Sequence, residues 1–214
     1  MGNISILAID VLLEPDARML EPAERNNARL RAAFPEGFEL DDQHRPHITL
    51  LQAFVARHDL GALCQALDPV IRTSNLAQME LQAIRYGYTP GPGMGIAGIW
   101  AAVSDALLKL QDDVIAAARP FLLPTGPIEA FTEGHGNPAF DAALIDYVAH
   151  FIDKSAGRYF EPHVSTGIAS TAYLEAMQAE PFEPFAFASA SAAVYQLGPF
   201  GTAARLLHRW EVQA

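Results

Sequence analysis

One cysteine, Cys64, stands in 214 residues, which excludes an intramolecular disulfide framework and a thiolate-rich zinc site and leaves the thiol a place in a core. Basic residues are scarce too: 14 Lys and Arg stand against 25 Asp and Glu, a formal net charge of −11. A chain of that sign repels a long polyanion. No run of basic residues offsets it, so a surface gripping a long duplex is excluded and a small phosphate-bearing ligand or a nucleic-acid end is kept. Long apolar runs are missing as well. Ile4 to Leu13 is broken by Asp10 and has no basic leader, and nothing approaches the roughly 18 apolar residues of a membrane span. A cytoplasmic protein without a membrane partner is expected. Glycine-rich dinucleotide and phosphate loops are also absent.

Half of the residues are apolar, enough for a substantial core. Ile4 to Leu13 reads as a buried strand ending at Glu14-Pro15, and Ala23 to Phe34 as a helix with Pro22 in its first turn. His47 to Phe54 is the next strand, and Asp59 to Arg72 has helical composition, bent or ended by Pro69. Met79 to Tyr88 and Gly95 to Val103 pair as strands across a Gly/Pro turn. Ser104 or Asp105 caps a helix that runs to Pro120. Pro124 to Pro138 is rich in turn residues and is expected to border a ligand site. Helical periodicity resumes over Phe140 to Ile152, the stretch Tyr159 to Ala169 contains a strand with the second histidine, and a short helix covers Thr171 to Ala179. Phe185 to Leu197 and Leu206 to Val212 are strands joined through Gly198-Pro199-Phe200-Gly201. Strands and helices are interspersed without regular alternation, which favours an α+β fold, and no linker divides residues 1–214, expected to form a single domain of two lobes.

Two segments repeat. Arg45-Pro46-His47-Ile48-Thr49-Leu50 and Glu161-Pro162-His163-Val164-Ser165-Thr166 share Pro, His, a β-branched apolar residue and a hydroxyl residue, a coincidence that chance would rarely produce among seven histidines. Alternate strand residues point the same way, so each strand presents one imidazole and one hydroxyl. Brought together about a pseudo-two-fold axis, the imidazoles flank a space of phosphate size and the hydroxyls donate to the anion within it. An imidazole of pKa near ~6.5 holds or releases a proton at neutral pH, so one ring can act as base and the other as acid. The hydroxyls would meet the nonbridging oxygens, where transition-state charge gathers.

These paired motifs resemble the 2H phosphoesterase superfamily, which is defined by two His-x-Thr/Ser motifs and includes bacterial 2'-5' RNA ligase-like proteins. The resemblance spans nearly the whole chain, from the opening strand to the Val194-Tyr195-Gln196-Leu197 strand, although only the motifs are specific. It implies a bilobed, duplicated α+β fold with two antiparallel sheets flanking a central cleft and helices outside. It also implies a reaction without cofactor or metal that opens a 2',3'-cyclic or related cyclic or 2'-5' phosphodiester of a nucleotide or RNA end. His47 and His163 would be the acid-base pair, with Thr49 and Ser165 holding the phosphate; Ser165 in place of the commoner threonine keeps the hydroxyl and loses the stiffening methyl.

Further contacts are expected from Arg45, whose strand parity could turn it toward the same anion, and from Tyr88, Tyr159, Tyr195 and Phe200 at strand ends and a turn, where rings could stack on a base. Two other functions compete: a noncatalytic nucleotide or phosphorylated-ligand binding protein, and a metal site drawn from Asp41, Asp42, His44 and His135, whose spacing fits no recognised ligand pattern. Oligomeric state is left open by the sequence.

Overall fold

The computed structural model describes residues 5–91, 93–132 and 138–212. The first strand, β1 (Ile6–Pro15), is followed by α1 (Ala17–Ala33) and then β2 (Ile48–Ala56). Helix α1 starts well before Pro22, because the Asp16 side chain accepts from the Arg18 amide and caps it. Pro22 therefore sits inside the helix rather than in its first turn. Likewise α2 (Leu60–Thr73) runs through Pro69, held by Leu63, Leu67 and Ile71 on its buried side. Strands β3 (Leu81–Pro90) and β4 (Met94–Ala101) form the expected hairpin, and Ser104 caps α3 (Asp105–Ala118) through the Leu107 amide. The short β5 (Leu122–Leu123), the helices α4 (Pro138–Ala149) and α5 (Phe151–Ser155), β6 (His163–Ser170) and α6 (Thr171–Gln178) follow.

The expected strand over Phe185 to Leu197 is two strands that part at Ala188: β7 (Phe185–Phe187) and β8 (Ser189–Leu197). The split matters because β7 pairs with β3 in one sheet and β8 with β1 in the other. With β9 (Ala203–Glu211) the two antiparallel sheets have the orders β5-β2-β1-β8-β9 and β6-β4-β3-β7. The fold is α+β and bilobed.

Alternation along β1 sets the layers. Ile9, Val11 and Leu13 join Leu63, Leu67, Leu107, Leu110 and Val114 in the main core, which puts α2 and α3 outside the first sheet. Leu30, Ala97, Leu174 and Met177 pack together, which puts α1 and α6 outside the second. Asp10 and Glu14 lie on the other side of β1, toward the space between the sheets. No helix among the described residues is long and apolar enough to cross a membrane.

Candidate active site

A cleft of about 400 Å³ lies between the sheets, and His47, Thr49, His163 and Ser165 all line it. They arrive from different sheets: His47 and Thr49 at the start of β2, His163 and Ser165 on β6. In each motif the ring Nδ1 lies close to the carbonyl oxygen two residues earlier, Arg45 at 2.6 Å for His47 and Glu161 at 2.8 Å for His163. A carbonyl only accepts, so each Nδ1 carries its proton and donates it. The chemistry is left to Nε2 on both rings.

The two surroundings then diverge. Asp10, fully buried, places Oδ2 3.4 Å from Nε2 of His47. Enclosure by itself would lower the pKa of His47, but the Asp10 carboxylate, helped by the Arg45 carbonyl and the charge of Glu14, reverses this and raises it. His163 instead lies flat on Trp100, with ring centroids 4.6 Å apart and planes within 15°. Burial lowers its pKa, and the neighbouring charges of His47 and Arg85 push the same way against the Glu161 carbonyl.

Register explains both environments. Trp100 is directly opposite His163 on β4, and Gly98 is opposite Ser165. A Cβ at Gly98 would lie 2.9 Å from both Trp100 Cζ3 and the Val164 carbonyl oxygen, so only glycine lets the indole lie beneath the imidazole. On the other wall, β2 carries an extra residue at Leu50: Val11 faces Leu51 while Leu12 faces Thr49. Three residues apart on a regular strand, Thr49 and Gln52 would point to opposite faces; the bulge returns them to one face. There Thr49 Oγ1 donates to Asp10 Oδ2 at 2.8 Å, and Gln52 Nε2 donates to the same oxygen at 2.9 Å. The Thr49 proton, expected on the anion, is thus directed at Asp10. Ser165 makes no such bond among the described residues.

The fold is comparable with solved structures. Over 96% of its length the chain matches 98% of TT0787 from Thermus thermophilus, with a TM-score of 0.54 and 16% identity. The chain has the TT0787 fold. E. coli LigT complexed with NADP+ is similar at a TM-score of 0.44 and 14% identity, over 97% of this chain and 99% of that one. Usb1 of Kluyveromyces marxianus is similar at 0.43 and 11% identity, over 96% and 98%. No protein-family model and no curated protein matches the sequence.

Within the TT0787-like fold, Arg45, Tyr159 and Phe200 line the cleft and Tyr88 and Tyr195 do not. The guanidinium of Arg45 is turned to carboxylates, 3.2 Å from Asp42 and 3.8 Å from Glu14, because Arg45 precedes β2 and strand parity does not govern it. Tyr159 is 49% exposed, and the Arg158 guanidinium covers its ring. Phe200, 40% exposed, is held in the left-handed region at φ 60°, beside Phe38, which stacks on His44. Tyr88 packs with Leu30, Leu174 and Met177 under the outer helices, and its neighbour Thr89 faces the cleft instead. Tyr195 is 2% exposed and gives its hydroxyl proton to Glu14. Burial would raise the pKa of Glu14, but bonds from Ser191, Tyr195 and Arg209 hold it low.

Asp10, Gln52 and Trp100 went unmarked in the sequence. Asp10 was visible as a lone acid inside an apolar strand, an expensive placement that itself signals a partner. The turn-rich residues 124–132 do not reach the cleft, and His135 lies outside the described residues. Among the described residues no group of three or more His, Cys, Asp or Glu is placed to hold a metal ion. Asp41 instead accepts from the Gln43 and His44 amides and contacts the His44 ring.

Proposed function

We propose that the chain is a 2H-type phosphoesterase that opens a 2',3'-cyclic or related cyclic or 2'-5' phosphodiester of a nucleotide or RNA end. The observation that carries this is the pairing, across one cleft, of two Nδ1-anchored imidazoles whose surroundings push their proton affinities apart. His163, kept neutral with a bare Nε2, takes a proton from water as the water oxygen bonds to phosphorus. His47 gives its Nε2 proton to the ribose oxygen as the phosphorus–oxygen bond breaks, leaving a nucleoside monophosphate. Ser165 donates to a nonbridging oxygen. The nucleoside would lie toward Tyr159 or toward Phe38 and Phe200, in a cleft of the size usual for small ligands. Residues 1–214 act as one unit, since both cleft walls are needed.

A purely binding protein has no use for two unlike rings, which favours turnover over the noncatalytic reading. Incubation with nucleoside 2',3'-cyclic phosphates, ADP-ribose cyclic phosphate and 2'-5' dinucleotides tests the proposal, with the product phosphate located by chromatography. The wild type should give a single monophosphate isomer. His47→Ala and His163→Ala should each lose on the order of 100- to 10,000-fold in kcat with the fold retained. Near-normal turnover in either variant would contradict the assignment, and ligand protection against melting without turnover would leave a binding protein.

A further inference from the structure

We propose that Asp10 is a positioning residue for this reaction: it holds the Nε2 edge of His47 through a carboxylate contact, and Thr49 and Gln52 act by holding Asp10. The proposal rests on the two-histidine reading above but is drawn from different observations. Asp10 is 0% exposed, and a buried carboxylate is costly without a countercharge. Among the described residues no Lys or Arg lies within ion-pair distance of it; the group that does is the His47 ring. Among the described residues its Oδ1 has no hydrogen-bond partner, whereas Oδ2 gathers Thr49, Gln52 and the imidazole together. Two neutral donors do not neutralise a carboxylate. The doubly protonated form of His47 does, so the same contact that makes Asp10 tolerable in the core favours the protonated ring.

The surrounding charges are of both signs, and it is the anions Asp10 and Glu14 that raise the proton affinity of His47. From β1, Glu14 adds negative potential, itself held by Arg209 of β9 and approached by Arg45. His44 is engaged with Asp41 and Lys154 of α5 with Asp146; Tyr147 of α4, whose pKa burial and the charge of Asp10 raise, also lines the cleft with Tyr159, and the opposite wall adds Glu161 and His163. Only Asp10 touches Nε2 of His47 within ion-pair distance among the described residues. Thr49 thereby acquires a use other than phosphate binding: a hydroxyl has one proton, and it points to Asp10.

The test is a titration of both imidazoles by nitrogen NMR in the full chain without substrate, comparing wild type with Asp10→Asn and Thr49→Val, both close in shape to the residues they replace. In Asp10→Asn the His47 titration should fall by about 1 to 3 pH units, the range of a close carboxylate, with His163 moving much less. The alkaline limb of kcat/KM should fall with it, and kcat should suffer more than KM. In Thr49→Val the ligand-free His47 titration should rise, because Asp10 loses a competing donor. An unmoved His47 in either variant overturns the proposal. If Asp10→Asn fails to fold, Thr49→Val alone decides. Because the titration is read without substrate, absence of cyclic-phosphate turnover in the wild type would sink the proposed function and leave this result standing.

Discussion

At both motifs the carbonyl two residues ahead of the histidine fixes Nδ1–H, so the repeated sequence delivers two rings of one tautomer. What differs is the neighbour each meets: a carboxylate at His47, an indole face and a nearby guanidinium at His163. The hydroxyls differ in the same way. Under the proposed function Ser165, without a carboxylate to serve, would be the direct donor to substrate, and Ser165→Ala should cost on the order of 100- to 1000-fold in kcat; an effect below about threefold would remove it from the site. The histidines, threonine and serine were legible in the sequence because a duplicated motif is a local pattern. Gln52 and Trp100 were not, because their roles arise from cross-strand register, which no stretch of sequence displays; Asp10 stood out as an acid in an apolar strand, but its partner did not.

Two elements depend on single small details of that register. Gly98 makes room for the stack of Trp100 and His163, so Gly98→Ala should displace both rings and reduce kcat/KM by at least about tenfold. Full activity in that variant would show the stack to be dispensable. Asn27 of α1 ties the helix to β6 by donating to the Thr166 carbonyl at 2.8 Å, and to the loop toward His44 by donating to the Phe38 carbonyl at 3.0 Å. Its Oδ1 also accepts from the Leu40 amide. Asn27→Ala should destabilise the fold by about 1–3 kcal/mol, read as a lower urea midpoint. The strands and most helices were legible from their periodicity and caps. The break at Ala188 was not, since Phe185 to Leu197 has strand composition throughout and its two parts separate only because each finds a different sheet.

The whole molecule is built so that neither end of the sequence makes a wall alone: β1 and β2 share their sheet with β8 and β9, and the middle of the chain supplies the other. The proposed site is thus one product of the entire chain. Its net charge of −11 also bears on substrate choice. A cyclic mononucleotide should be turned over with little dependence on salt, whereas the same group at the end of a long RNA should show a KM that rises as salt is lowered, through repulsion. Tighter binding of the long RNA at low salt would point to a local basic path that outweighs the net charge. The most direct measurement is the pH dependence of kcat/KM for a nucleoside 2',3'-cyclic phosphate. His163 must be neutral and its pKa is lowered, so the acid limb should fall below the ordinary histidine value near ~6.5. His47 must be protonated and its pKa is raised, so the alkaline limb should lie above that value. A bell spanning neutrality, whose two limbs disappear separately in the His163→Ala and His47→Ala variants, is the result expected; a flat profile, or limbs that survive both substitutions, would contradict the two-histidine mechanism.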